Sequence, residues 1–329
     1  MAGLHFRRSL QSLVGIAPAA RGALQGRSKY TVNMNSSKSI SALKRRREAL
    51  GHQLPFEYPE ALRTAAQSMP AAPGVYVFHG QDGDLPVYIG KSVNLRQRVL
   101  SHLRNADEAR MLRQTRRISH IGTAGEVGAL LLEASMIKLQ QPLFNQKLRR
   151  NRQLCSWQWQ GNQLAVVHAK DVNFATEPGL YGLFASRFAA LQALRSLADS
   201  HQLCYGLLGL EKLTPGMACF RAQLRYCAGA CRGDEPPGAH QTRLQSALEH
   251  LQVACWPFAG AIGLVERYQD DYQMHVILNW TYLGSVSDES VAINRARQLS
   301  SVAAGFDADG YKILCKPLLS GHVEIVLLG

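Results

Sequence analysis

Pro73-Gly74-Val75-Tyr76-Val77-Phe78, then His79-Gly80-Gln81-Asp82-Gly83-Asp84, then Val87-Tyr88-Ile89-Gly90: two runs rich in β-branched and aromatic residues flank a cluster of glycine, aspartate and glutamine. The runs suit the pleated, half-buried surface of a sheet, and the cluster between them holds the residues that turns require. The stretch predicts a β-hairpin whose loop has about six to eight residues.

On the C-terminal side of the hairpin, Ser92 is placed to cap a helix over residues 93–104. Leu95, Val99 and Leu103 recur there at helical spacing and define one apolar stripe. Residues 117–124 read as a third strand. Gly125 separates it from a second helix over Glu126–Gln140, in which Val127, Leu130, Leu131, Ala134 and Ile137 face inward and which Pro142 ends. At about 100° per residue, His102 lies about 20° from Leu95, Arg98 about 60° from it, and Glu133 about 40° from Ile137. All three border an apolar stripe, where a charged group needs a partner or a task.

The charge of the chain is lopsided. Residues 1–150 hold 23 Lys+Arg and 9 Asp+Glu, 23 − 9 = +14, and residues 151–329 hold 14 and 15, 14 − 15 = −1. The excess in the first half suits a polyanionic partner such as nucleic acid. Part of it lies in residues 1–55, which contain Arg7-Arg8 and Lys44-Arg45-Arg46-Arg47 and read as a basic, disordered extension. No apolar run is long enough for a membrane span. Seven cysteines among 329 residues argue against a secreted disulfide scaffold and for a reducing, cytoplasmic setting.

Beyond residue 151 the text changes. Residues 164–169 read as a strand, Arg187–Ser200 as a helix and residues 240–253 as a helix. The final 70 or so residues read as strands, among them 273–280, 311–316 and 323–328. Cys204, Cys219, Cys227 and Cys231 follow the spacing C-x14-C-x7-C-x3-C. Four thiolates suit zinc and an iron–sulfur cluster equally well on chemistry alone. Cys155, Cys255 and Cys315 follow no such pattern and read as small buried residues.

Residues 73–145 resemble the GIY-YIG nuclease family, and within it the N-terminal nuclease of UvrC. The resemblance is carried by Gly74-Val75-Tyr76, by Tyr88-Ile89-Gly90-Lys91, by Asn94-Leu95-Arg96-Gln97-Arg98, by Leu132-Glu133-Ala134 and by Pro142-Leu143-Phe144-Asn145, in that order. It implies a DNA endonuclease in which Glu133 holds a hydrated Mg²⁺ or Mn²⁺ and Arg98 clamps the scissile phosphate. Tyr76 would activate or orient the attacking water, with Lys91 placed to lower its pKa. Tyr88 would line the site and Asn145 would brace it. His102 stands where UvrC proteins often carry tyrosine, and either shares in proton transfer or packs. The cysteine segment resembles that of UvrC in its x7 and x3 spacings, which makes a [4Fe–4S] cluster the first expectation and zinc the second.

The expected fold is α+β. A GIY-YIG nuclease domain (residues 68–152), with a small antiparallel sheet flanked by helices, precedes a helical middle domain with the four-cysteine cluster (153–255) and a β-rich C-terminal domain (256–329). A chain lacking UvrC's second nuclease domain is expected to make one cut 3′ of a lesion in damaged double-stranded DNA, with UvrA and UvrB choosing the lesion. Two rivals keep the fold: a restriction or homing endonuclease, which would not need the cysteine segment, and a non-catalytic DNA-binding module, which would not need Tyr76, Tyr88, Arg98 and Glu133 together.

Overall fold

The computed structural model describes residues 60–329 apart from 82–84, 146–153, 162, 215–216, 237, 301–304 and 329; the basic extension expected over residues 1–55 lies outside the described residues. The hairpin forms as read. Strands β1 (Gly74–His79) and β2 (Pro86–Ser92) pair antiparallel, and β3 (Arg117–Gly122) pairs with the other edge of β1, so β1 is the central strand.

The alternation of β1 divides the core. Tyr76 and Phe78 point to one face, against Leu95, Val99 and Leu103 of helix α2 (Leu95–Arg104) and Leu62 and Ala66 of α1 (Glu60–Ser68). Val75 and Val77 point to the other, against Ile89 and Ile137 of the long helix after β3. The cap of α2 is Asn94 rather than Ser92. The Asn94 side chain accepts from Gln97 N–H, while the Ser92 hydroxyl bonds the Asn94 backbone and shapes the approach. Between α2 and β3 lie a 3₁₀ turn at Ala106–Glu108 and the short helix α3 (Ala109–Gln114). After β3 comes α4 (Glu126–Gln140), which ends with Gln141 in the left-handed region, φ 50°, just before Pro142.

The middle region is less helical than its sequence suggested. Strands β4 (Cys155–Gln160), β5 (Gln163–His168) and β6 (Leu180–Phe184) form a sheet in the order β5-β4-β6. Helices α5 (Arg187–Ser200) and α6 (Ala239–Glu249) pack with it around buried Trp157, Leu194, Leu244 and Leu248. The cysteine segment loops between these two helices.

The C-terminal region holds a four-stranded antiparallel sheet, order β10-β7-β8-β9, from β7 (Ile262–Tyr268), β8 (Asp271–Leu278), β9 (Thr281–Val286) and β10 (Glu324–Leu327). Two helices were not foreseen: α7 (Glu289–Leu299) and α8 (Ala308–Ser320). Residues 311–316, expected as a strand, lie in α8. Tyr311, Ile313 and Cys315 alternate like a strand and Pro317 argues against a helix, yet the buried residues Gly310, Leu314 and Leu318 follow helical spacing. Helix α7 buries only Ala292 and Ala296, too little apolar bulk to mark a stripe in the sequence. Among the described residues no helix is long and apolar enough to cross a membrane.

Candidate active site

Register across the hairpin sets the first contact. Tyr76 on β1 is opposite Gly90 on β2, and a Cβ at position 90 would lie 2.3 Å from the Tyr76 hydroxyl oxygen. The glycine is the space in which the phenol lies. Tyr76 is almost wholly buried, and its ring is 6.2 Å from that of Tyr88 and 5.3 Å from that of His102.

The Tyr76 hydroxyl is 2.6 Å from His102 Nε2, and His102 Nδ1 faces the Glu108 carboxylate. An imidazole beside a carboxylate carries its proton on the nitrogen facing it. Nδ1–H therefore donates to Glu108, Nε2 accepts, and the Tyr76 hydroxyl donates. Burial holds the His102 pKa below its ordinary value, with Arg98 acting in the same sense and Glu108 opposing, so the ring rests neutral. Burial likewise raises the Tyr76 pKa far above that of a free phenol, with the charge of Tyr88 adding to it and a hydrogen bond from Arg98 only partly offsetting it. Tyr88 is raised by the same desolvation and by the negative charge of Glu133.

Arg98 itself is exposed on α2 rather than sunk in the apolar stripe, but its guanidinium reaches the Tyr76 hydroxyl, and that contact raises its own pKa. Lys91 takes a different place from the one expected. Its ammonium is 2.5 Å from Glu126 Oε1, at the start of α4, and the cation that acts on Tyr76 is Arg98. Lys91 and Arg98 both act on Glu133, whose pKa burial raises and their charges pull back. Glu133 is half-buried on α4, so it approaches from the opposite face of the sheet, toward edge strand β2.

One carboxylate is too small a donor set for a dehydrated cation. It fits a hard divalent ion that keeps most of its waters and takes a phosphate oxygen for another position.

Asn145 clips the free edge of β2: its Oδ1 accepts from Ile89 N–H at 2.9 Å and its Nδ2 donates to Ile89 O at 2.8 Å. Phe144 N–H to Val87 O, 2.9 Å, extends the clip. The residue that sequence reasoning missed is Glu108. It sits in a 3₁₀ turn, where no periodicity marks it, and only the fold brings it to His102.

Three of the four cysteines converge as well, with the fourth beside them. Sγ atoms of Cys204, Cys219 and Cys227 lie within 4.8 Å of one another, Cys204 to Cys219 at 3.7 Å, and Cys231 Sγ accepts from Cys219 N–H at 3.3 Å. Burial is the main cause that pushes the Cys204 thiol up. A tetrahedral ion with metal–sulfur bonds of about 2.3 Å sets its thiolates about 3.8 Å apart. The Cys204–Cys219 separation matches that figure, so three thiolates are placed for a single ion, with Cys231 beside them. A four-iron cube, with an iron at each thiolate, needs the sulfurs farther apart.

Comparison with known proteins matches the chain in three successive parts. Residues 72–146 match the UvrC-like GIY-YIG domain, 154–250 the UvrC/Cho excinuclease middle domain and 261–329 the excinuclease Cho C-terminal domain. Excinuclease Cho of Escherichia coli O157:H7 is 58% identical over 83% of this chain and 91% of its own length. That of Salmonella typhimurium is 59% identical over 83% and 92%. The UvrABC system protein C of Synechocystis is 31% identical over 60% of this chain and 32% of its own. The solved GIY-YIG N-terminal endonuclease domain of UvrC from Thermotoga maritima, bound to magnesium, is 31% identical and covers 26% of this chain and 98% of that domain, with a TM-score of 0.25. With its nuclease, middle and C-terminal parts all matched and 58% identity over 83% of its length to a relative it covers to 91%, the chain belongs to the excinuclease Cho family and is a UvrC-like GIY-YIG endonuclease of DNA repair.

Proposed function

We propose that this nuclease hydrolyses one phosphodiester on the 3′ side of a lesion, in a damaged duplex marked by UvrB after loading by UvrA. We further propose that Tyr76, Tyr88, Arg98, His102 and Glu133 carry the reaction, with Lys91 and Asn145 in support. The observation that carries the site assignment is the buried Tyr76 hydroxyl 2.6 Å from His102 Nε2, with the charge of Arg98 acting on the same phenol. A DNA-binding module would gain nothing from a buried phenol donating to a neutral imidazole.

The raised pKa of Tyr76 makes a resting phenolate costly, so the phenol works as a relay. As the attacking water gives its proton to the Tyr76 oxygen, the phenolic proton passes to His102 Nε2, and the new imidazolium is stabilised by Glu108. The logic is that of a nucleophile–imidazole–carboxylate triad, with water as the nucleophile. Arg98, exposed and with a planar donor fork, meets the phosphate. Tyr88 lines the water's approach, beside Glu133. When bound at Glu133, Mg²⁺ or Mn²⁺ supplies charge stabilisation at the phosphate and the leaving oxygen. Lys91 steadies Glu133 by charge and Asn145 fixes the edge of β2 that both depend on.

Dependence on UvrB is supported by kinship, since the Synechocystis relative is the C component of a UvrABC system. We also propose a cytoplasmic location and a metal centre at Cys204, Cys219, Cys227 and Cys231 that folds the middle region. Kinship implies a [4Fe–4S] cluster there, and the 3.7 Å Cys204–Cys219 separation suits zinc. Metal and acid-labile sulfide analysis of the full chain separates them.

The deciding experiment is incision of an end-labelled duplex carrying one bulky adduct, with Mg²⁺, with and without UvrA, UvrB and ATP. A single cut a few nucleotides 3′ of the adduct, seen only with the partners, is the expected result. Cutting of undamaged DNA without partners would replace this reading with that of a restriction or homing enzyme.

A further inference from the structure

Helix α4 begins without a cap of its own. Its N-cap residue is Gly125, in extended backbone, with no side chain to offer the first-turn amides. The acceptor comes from the C-terminal sheet. Glu266 on β7 accepts from Val127 N–H with Oε1 at 2.9 Å and from Gly128 N–H with Oε2 at 2.7 Å. Gln273 on β8 accepts from Ala124 N–H at 3.0 Å, one residue before the N-cap Gly125.

Glu266 is itself held in place. His275, wholly buried on β8, has Nε2 2.9 Å from Glu266 Oε2 and Nδ1 2.7 Å from Ser285 Oγ, which lies 2.6 Å from the Tyr282 hydroxyl. The fit leaves no slack. A Cβ on Gly125 would lie 2.2 Å from Glu266 Oε1, and one on Gly128 would lie 2.4 Å from His275 Cε1.

The other end of α4 is tied to the same region. Lys138, in the last turn, is 2.5 Å from Asp307 Oδ1 and 3.2 Å from Asp309 Oδ2, and Asp307 caps α8. Between the two ties, Leu131 packs into the C-terminal core with Trp280, Ile262 and Leu264, while Ile137 packs on the nuclease sheet. Glu133 stands between the tied ends.

We propose that the C-terminal domain is a positioning device for the nuclease: by capping α4 with Glu266–His275 and holding its far end through Lys138 and Asp307, it sets the place of Glu133 and hence the affinity for the catalytic cation. Glu266, His275 and Asp307 are positioning residues, and the inference rests on Glu133 being the metal carboxylate. A carboxylate across the interface does for α4 what an N-cap side chain does in an ordinary helix. A rigid helix pinned at both ends carries its middle residue at a fixed height and rotation.

The test uses the full chain and Mn²⁺. Mn²⁺ binding is measured directly by the loss of the free-ion paramagnetic resonance signal. The half-saturating Mn²⁺ for incision, and kcat and KM for DNA, are measured beside it. Glu266→Ala removes the cap. Gly128→Ala is a second wedge, because alanine favours a helix interior and what its methyl group meets is His275, with Glu266 Oε2 at 3.1 Å, so it pushes on the cap from the helix side.

Both variants are expected to weaken Mn²⁺ binding by about tenfold, as loss of a supporting contact does at metal sites, with KM for DNA unchanged. Wild-type Mn²⁺ affinity in Gly128→Ala, or in a folded Glu266→Ala, would overturn the inference and leave the C-terminal domain as a buttress alone. Glu133→Gln separates this from failure of the premise: it should abolish Mn²⁺ binding, and binding retained there would overturn the metal role of Glu133 itself.

Discussion

At the scale of single residues the chemistry depends on protonation, and this can be read from a pH profile. His102 must be neutral at Nε2 to take the phenolic proton, and its pKa is depressed by burial. Activity is therefore present above that pKa and lost as pH falls through it, so the acid limb should lie below the ordinary histidine value of about 6.5. Glu108→Gln removes the charge that raises the ring's pKa and favours the imidazolium. The acid limb should move lower still, while the plateau rate falls by about a hundredfold. An unchanged plateau would remove Glu108 from the relay. His102→Tyr takes away the imidazole that accepts the phenolic proton, so the plateau should fall at least as far as in Glu108→Gln and the acid limb should be lost.

At the scale of elements, the hairpin and the edge of β2 decide whether these groups meet. Gly90→Ala puts a methyl group into the space of the Tyr76 ring. Since Tyr76 is locked between two strands and α2, the ring must move. Incision should fall by about a hundredfold or more if the relay is broken, whereas the melting temperature should fall only modestly. Asn145→Ala breaks both hydrogen bonds to Ile89 and leaves part of an edge strand unpaired. The expected cost is about 1–3 kcal/mol, read as a lower denaturant midpoint at unchanged slope, together with slower incision. A variant with full stability and slow incision would make Asn145 a reacting group and not a brace.

At the scale of the whole molecule, three sheets must stay in register with one another through loops and one shared helix. The cysteine loop between α5 and α6 has little core of its own beyond the sulfurs and Ala222. A metal there should account for much of its order. Stripping the metal, or Cys227→Ser, should expose residues 204–231 to proteolysis and destabilise the middle region by about 5 kcal/mol or more. The nuclease core around Tyr76, Phe78 and Leu112 has its own packing and should resist. Equal loss of protection everywhere would show that the three parts fold as one unit.

Much of this molecule was legible in its sequence, for a physical reason. Strand alternation and helical stripes are local patterns, so β1, β2, α2 and α4 could be read from Gly74 to Gln140, and the order of Tyr76, Tyr88, Arg98 and Glu133 marked the family. Where the local signal was weak or divided, the reading failed. The stripe of α7 is made of alanines, residues 311–316 alternate like a strand, and of the middle sheet only β5 was read while β4 and β6 were not. Tertiary structure alone decided which charges meet. Lys91 pairs with Glu126 and leaves Tyr76 to Arg98, Glu108 reaches His102 from an unmarked turn, and Glu266 caps a helix that begins about 140 residues before it. No local periodicity records such pairs, because the free energy of each depends on burial and on partners that the chain brings together only by folding.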